Sequence, residues 1–377
     1  MSEIHRLPPV LRRAIARALA RPASPKASVR NRAACLYKVD RLGDFVIALG
    51  ALRLLIEHFG ETECRLIVGE SAANLAAAEF PGVDRHVLPS SVAGVWRELR
   101  PLRNRTAPLW AGETFRHLIC LRHSGSLYRD VTLQWIHAER WHGLGPRPAP
   151  GSLTLDNRPV FGPAYPVDAN APWCRELLAH RRVVAGIIGR DPDWNEMRPQ
   201  LRSVIATANR DIVFCPFGSE PIRDYPAANW IEAWRANAPA FAQTSVHLCG
   251  PADRRDDLTA LANQLRASVG IENAVVCTNL PGLDFVRLIA GAKAVVTVES
   301  AAAHLATAME KPAVIVCGGG HAGIFAPWSG QLRQHWLFHR LECYGCNWNC
   351  RFPKVRCLAE LPPGEVGQAL QLMMQHG

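Results

Sequence analysis

Val295-Val296-Thr297-Val298-Glu299-Ser300-Ala301-Ala302-Ala303-His304-Leu305-Ala306 is the stretch from which the fold can be read. The β-branched run from Ala294 to Val298 predicts a short buried strand. Ser300 is a favourable helix N-cap, and Ala301 to Met309 is strong helix material. Pro312 to Cys317 then starts another strand. A strand–turn–helix of this kind points the first free N–H groups of a helix beyond the sheet edge. Those groups and the helix dipole suit a phosphate. Ala301 and Ala302 are small enough to let a ligand approach. Glu299, at the lip, would repel phosphate but can accept hydrogen bonds from sugar hydroxyls. The same residues also read as an ordinary βαβ turn with a solvent-facing glutamate, because one motif alone is weakly specific.

Outward from this stretch the pattern repeats. In the second half, strands are expected at Asp211–Cys215, Ser245–Cys249 and Ala274–Cys277. Helices are expected at about Ala227–Asn237, Asp253–Ser268 and Leu283–Ala290. The turn Pro216-Phe217-Gly218-Ser219-Glu220 and the run Arg223-Asp224-Tyr225-Pro226 join the first strand to its helix. In the first half, Ala33–Val39 is a strand, followed by Asp40-Arg41-Leu42-Gly43-Asp44 and a helix through Phe59. Phe45, Ala48, Leu49, Leu52, Leu55, Ile56 and Phe59 in that helix follow the helical period. Strands at Cys64–Val68, His86–Leu88 and Phe115–Leu121 alternate with helices at Ser71–Glu79, Tyr128–His142 and Trp173–Arg182. Gly143 to Pro172 reads as irregular. Alternating strands and helices predict parallel, doubly wound sheets. The chain then divides into five segments: a basic extension (1–32), an N-terminal domain (33–187), a linker (188–210), a C-terminal domain (211–340), and a cysteine cluster with a C-terminal helix (341–377). In open α/β sheets ligands sit beyond the carboxyl ends of the strands. That rule puts Asp44 and Glu299 at a cleft between two similar halves. Gly43 permits a tight turn, and the helix dipole favours an ionised Asp44. Asp44 is therefore a candidate general base, or else a helix cap.

The 377 residues suit two domains, and 48% hydrophobic with 20% charged residues fit a soluble globular protein. No apolar run approaches the roughly 18 residues of a transmembrane helix. A net charge of +10 calls for an acidic partner: nucleic acid, anionic lipid or a phosphorylated substrate. Only 5 tyrosines and no basic–aromatic interleaving argue against nucleic acid. Arg12, Arg13 and Arg17 lie off a face formed by Leu11, Ile15, Ala18 and Leu19. Residues 1–32 thus read either as a helix lying on an anionic membrane surface or as a basic tail.

Eight of the 12 cysteines are scattered through apolar runs and read as small buried hydrophobes in a reducing compartment. The other four are spaced Cys343-x2-Cys346-x3-Cys350-x6-Cys357. Four thiolates so spaced can close a tetrahedral zinc or iron site. This structural metal is expected to take no part in catalysis.

Asp40-Arg41-Leu42-Gly43-Asp44 before an apolar helix resembles the N-terminal signature of glycosyltransferase family 9, the ADP-heptose:lipopolysaccharide heptosyltransferases. Cys215-Pro216-Phe217-Gly218-Ser219, with Arg223-x-Tyr225-Pro226-x-x-x-Trp230, is similar to that family's second-domain motif. Val298 to Ala306, with Ala308, resembles its donor-binding turn, and the cysteine cluster occurs in many members. The resemblance runs from about Ala33 to Cys357. It implies a GT-B architecture, in which two Rossmann-like domains face a cleft. It also implies inverting transfer of a sugar, a heptose above all, from an ADP-sugar to a lipid-linked lipopolysaccharide core glycan, without a catalytic metal. Asp44 is then the base. Ser219, Arg223, Glu299, Ser300, Ala301, Ala302 and His304 lie on the donor side, and Arg41 and Gly43 on the acceptor side. A cytoplasmic location at the inner face of the membrane follows from such an acceptor. The family commonly has Asp, Gly and Lys where Glu299, Ala301 and Arg223 stand, so reach, room and charge geometry differ at the donor. His304 reads equally as a phosphate contact or a packed histidine. Two other functions remain open: the same fold acting on a protein or another glycan, and a non-enzymatic, basic nucleic-acid-binding module built around a four-cysteine metal site.

Overall fold

The computed structural model describes residues 30–90, 101–102, 104, 112–122, 127–143, 174–205, 211–241, 243–328 and 333–376. The expected N-terminal helix, the irregular stretch from residue 144 to 172 and residues 206–210 of the expected linker lie outside them. The described chain forms two compact units.

In the first unit, β1 (Arg30–Lys38), β2 (Cys64–Gly69), β3 (Asp84–Leu88), β4 (Glu113–Cys120) and β5 (Ala138–Gly143) make one sheet in the order β3-β2-β1-β4-β5. Every pairing is parallel. The chain winds from β1 to β3 on one side and resumes at β4 on the other, so the strand order reverses at β1. A crevice opens at such a reversal. Helices α1 (Leu42–Ile47), α2 (Leu49–Phe59), α3 (Ala73–Glu79), α4 (Leu127–Leu133), α5 (Arg175–Ile188) and α6 (Trp194–Met197) complete this half. The helix expected through Phe59 breaks once, at Ala48, whose N–H turns back to the Phe45 carbonyl at 3.0 Å. Gly50, just beyond, lies so close to the Met197 backbone that a Cβ would come within 1.9 Å of its carbonyl oxygen.

The helix expected over Tyr128–His142 is a correction. It stops at Leu133, three tight turns follow through Ile136, and Ala138–Gly143 pairs with β4 as an edge strand. Tertiary pairing overrides a local pattern that suits either state. The first strand also starts at Arg30, inside the segment read as an extension. Arg32 is buried there and ion-paired with Glu113 at 2.9 Å and with Asp84.

In the second unit, β6 (Ile212–Cys215), β7 (Val246–Gly250), β8 (Ala274–Thr278), β9 (Ala294–Val298), β10 (Ala313–Cys317) and β11 (Gln334–Phe338) form a sheet ordered β11-β10-β9-β6-β7-β8, again parallel throughout. Here the order reverses between β6 and β9. All residues of β9 and β10 are buried, as expected of strands covered on both faces. Helices α7 (Ala227–Arg235), α8 (Ala238–Phe241), α9 (Arg255–Val269), α10 (Gly282–Gly291), α11 (Ala301–Ala308), α12 (Arg356–Ala359) and α13 (Pro363–His376) pack around it. Edge strand β11 has no counterpart in the sequence reading. Val366, Ala369, Leu370 and Met373 of α13 share one core with Trp230 and Trp234 of α7. Asn237 Nδ2 donates to the Gly367 carbonyl at 2.8 Å, and Tyr225 OH to that of Leu361 at 2.9 Å.

Candidate active site

In the first unit the reversal point at the end of β1 carries the charged residues. Lys38, wholly buried, ends the strand. Its Nζ lies 3.0 Å from Asp40 Oδ2 and 3.3 Å from Glu176 Oε1, and it donates to the Leu121 carbonyl at 3.0 Å. Arg122 reaches Asp40 Oδ1 at 3.2 Å and donates to the Val39 carbonyl at 2.7 Å. Burial by itself would lower the Lys38 pKa, but Asp40, Glu176 and Asp44 outweigh it and raise it, so the ammonium stays charged. Asp44 sits half-buried in the first turn of α1. Burial, then repulsion from Asp40, pushes its carboxyl up to about 7, while Lys38 and Arg122 pull the other way. A carboxyl poised there can take a proton near neutral pH, as a general base must. Gly43 is buried and Arg41 exposed beside it. The sequence reading named Asp44 but missed the Lys38–Asp40–Glu176–Arg122 network. Its signal was a lysine and an aspartate ending a buried strand, where an unpaired charge would be too costly to keep.

In the second unit, the turns after β6, β9 and β10 emerge at the same end of neighbouring strands. After β9, Ser300 Oγ accepts from the Ala302 N–H at 3.2 Å, which makes it the N-cap of α11, and lies 3.0 Å from Thr297 Oγ1. The Ala302 N–H is thus engaged in the cap. Ala301 is part-exposed, and half-buried Glu299 is anchored by its N–H to the Val316 carbonyl at 2.9 Å. His304 is a packed histidine. Trp328 Nε1 donates to its Nδ1 at 3.0 Å, and burial lowers its pKa to about 4. The imidazole is therefore neutral with its proton on Nε2, which leaves a single donor.

After β6, the Gly218 N–H and Arg254 Nη1 donate to the two oxygens of Asp224, at 2.9 and 2.8 Å. Burial nevertheless raises the Asp224 pKa. Ser219 is exposed on this turn, and Arg223 is half-buried with its guanidinium over the Trp348 ring, 5.2 Å from the centroid. The Arg223 Nε is buried and meets no acceptor among the described residues.

The four clustered cysteines are all free thiols. Cys357 is buried, and its Sγ accepts from the Gly319 N–H at 3.2 Å. Burial raises its pKa; Cys343, Cys346 and Cys350, each half-exposed, add to this. Among the described residues no three His, Cys, Asp or Glu side chains form a group able to hold a metal. The donor set and the N–H···S bond suit a thiolate metal site. Holding a metal there would need Cys343, Cys346 and Cys350 to come together with Cys357.

The family model described as glycosyltransferase family 9 (heptosyltransferase) matches residues 191–355. The structure of the E. coli heptosyltransferase WaaC with ADP is similar over 90% of this chain and 99% of its own, at 17% identity and a TM-score of 0.64. That of the E. coli ADP-heptose lps heptosyltransferase II is similar over 91% and 99%, at 17% identity and 0.63. A family 9 glycosyl transferase from Veillonella parvula is similar over 94% and 100%, at 12% identity and 0.65. No curated protein matches by sequence. The match to the family 9 model and these similar folds bear out the resemblance read from the motifs, and the two parallel-sheet α/β domains of GT-B type are present as expected.

Proposed function

We propose that this protein transfers a heptose, with inversion, from an ADP-sugar to a lipopolysaccharide core-type glycan. The observation that carries the reading is Asp44: a carboxyl held near neutral pKa by burial and Asp40, at the sheet reversal where α/β folds bind ligands. It takes the proton of an acceptor hydroxyl as that oxygen attacks the sugar's anomeric carbon. The bond to the diphosphate breaks, and ADP leaves with the electron pair. Arg223 and the Ala301 N–H at the start of α11, where the Ala302 N–H is held by the cap, stabilise the charge growing on the diphosphate. Glu299 accepts hydrogen bonds from sugar hydroxyls. The nucleotide-sugar part draws support from one similar protein, the E. coli heptosyltransferase WaaC, whose structures hold ADP and ADP-2-deoxy-2-fluoro heptose.

A structural zinc or iron held by Cys343, Cys346, Cys350 and Cys357 completes this reading; bound, it would fix the loop that carries them, and no step of the transfer runs through it. Residues 1–32 bring the protein to the anionic inner face of the cytoplasmic membrane, where a lipid-linked acceptor lies. No helix among the described residues is long and apolar enough to cross a membrane. The test is a panel of nucleotide sugars assayed against heptose-deficient core glycan. ADP-heptose should give an elongated glycan of inverted anomeric configuration. Transfer from UDP-sugars alone, or to a protein acceptor alone, would overturn the assignment.

A further inference from the structure

The cysteine-rich loop is docked on the triglycine turn Gly318-Gly319-Gly320 that follows β10. Gly345 N–H donates to the Gly319 carbonyl at 2.8 Å and Asn347 N–H to that of Gly320 at 3.0 Å. The turn must be glycine. A Cβ on Gly318 or Gly320 would come within 2.3 or 2.4 Å of the Trp348 ring, and one on Gly319 within 2.3 Å of Tyr344. Asn347 and Trp348 hold positive φ, 51° and 61°, a conformation uncommon for a bulky side chain. His321 Nε2 lies 2.9 Å from Asn347 Oδ1, and its ring meets Trp348 edge-on at 5.9 Å. Burial, then the nearby Arg223, lowers the His321 pKa to about 4, so this imidazole is neutral beside the arginine. The indole so placed carries the Arg223 guanidinium over its ring at 5.2 Å.

We propose that Trp348 is a positioning residue: the loop holds its indole against Arg223, and this orients the guanidinium toward the donor's diphosphate. The inference rests on the donor role given to Arg223 above. A long side chain loses rotamer freedom on binding. A ring that already fixes the guanidinium removes part of that cost, and the ring quadrupole favours the cation. The loop then serves donor affinity rather than contact with the sugar.

Calorimetry with ADP on the full-length chain tests this. Trp348→Leu and Trp348→Met fill the space without a ring, and each should weaken ADP binding by about 3- to 30-fold, the range of a cation–π contact. Trp348→Phe should keep the affinity within about 3-fold, because it restores an aromatic face. In the Arg223→Ala background, Trp348→Leu should add nothing. Turnover at saturating donor should fall less than KM rises. If Arg223→Ala weakens ADP but neither Trp348→Leu nor Trp348→Met does, the positioning role is wrong and the donor reading stands. If Arg223→Ala binds ADP like the parent, the donor reading itself fails. An undiminished loss from Trp348→Leu on top of Arg223→Ala would reduce Trp348 to packing alone.

Discussion

Asp44→Asn separates a catalytic carboxylate from a helix-start residue through two readouts of opposite sign. In the folded chain the Asp44 carboxyl titrates at about 7, against an ordinary 3.8. An acid whose pKa is raised by folding favours the fold only while protonated. As pH rises from about 4 to about 7, the chain must hold a charge that its surroundings disfavour, and stability falls across that window. The difference of roughly three pKa units corresponds to at most about 4 kcal/mol at about 1.36 kcal/mol per unit. Asparagine keeps the shape and removes the charge. Asp44→Asn should therefore melt several degrees higher than the parent at pH 8, with the gain gone by pH 4. Turnover should fall by about two orders of magnitude or more, since no base remains. The parent's kcat/KM should rise with pH through an apparent pKa near 7, and Asp40→Asn should move that limb to lower pH by removing the repelling charge. Melting curves over pH and a transfer assay provide the measurements. Unchanged turnover in Asp44→Asn, or lower stability at pH 8, would refute the argument.

Arg223→Ala should weaken ADP binding by about 10- to 100-fold, as expected for lost charge-assisted hydrogen bonds, whereas Glu299→Ala should spare ADP and raise KM for the whole nucleotide sugar. Calorimetry and kinetics distinguish the two. His304→Ala strands the Trp328 indole N–H and should cost about 1–3 kcal/mol in denaturant unfolding. Purified protein should carry about one zinc or iron per chain, and Cys346→Ser should lower both metal content and melting temperature; mass spectrometry of a metal-free, equally stable parent would remove the site. Deleting residues 1–32 without touching β1 is not possible, because Arg30 to Arg32 are strand residues. A deletion of 1–28 should abolish flotation with anionic liposomes while sparing transfer to a soluble acceptor fragment, and salt should weaken binding by the parent.

The residues most legible in the sequence were those whose role is local. Ser300 caps α11 because a hydroxyl before an alanine run has one good use, and the β-branched run before it had to be a strand. Motif order then identified both units. What stayed hidden depends on residues far apart in the chain. Glu176 meets Lys38 across 138 positions, and Trp328 meets His304 across 24, with no periodicity to announce either. Edge strands β5 and β11 were missed for a related reason. Most of their residues are at least part-exposed and they are mixed in polarity, so only pairing with a neighbour makes them strands. Cys357 was read with its cysteine neighbours, but its contact with the Gly319 N–H required the turn after β10 to arrive beside it.

The placement of α13 has a consequence for how the chain is made. Its Val366, Ala369, Leu370 and Met373 are core residues of the unit whose first strand starts at Ile212. That core stays open during synthesis until the residues of α13 have left the ribosome. At about 5–20 residues per second, the strands from β6 to β11 wait on the order of ten seconds with an apolar face uncovered. A tag fused after His376 adds to that wait, and one that drags α13 away from Trp230 and Trp234 leaves the face bare. Yield in cells should therefore be more sensitive to a fusion at the carboxyl end of the chain than to one at the amino end.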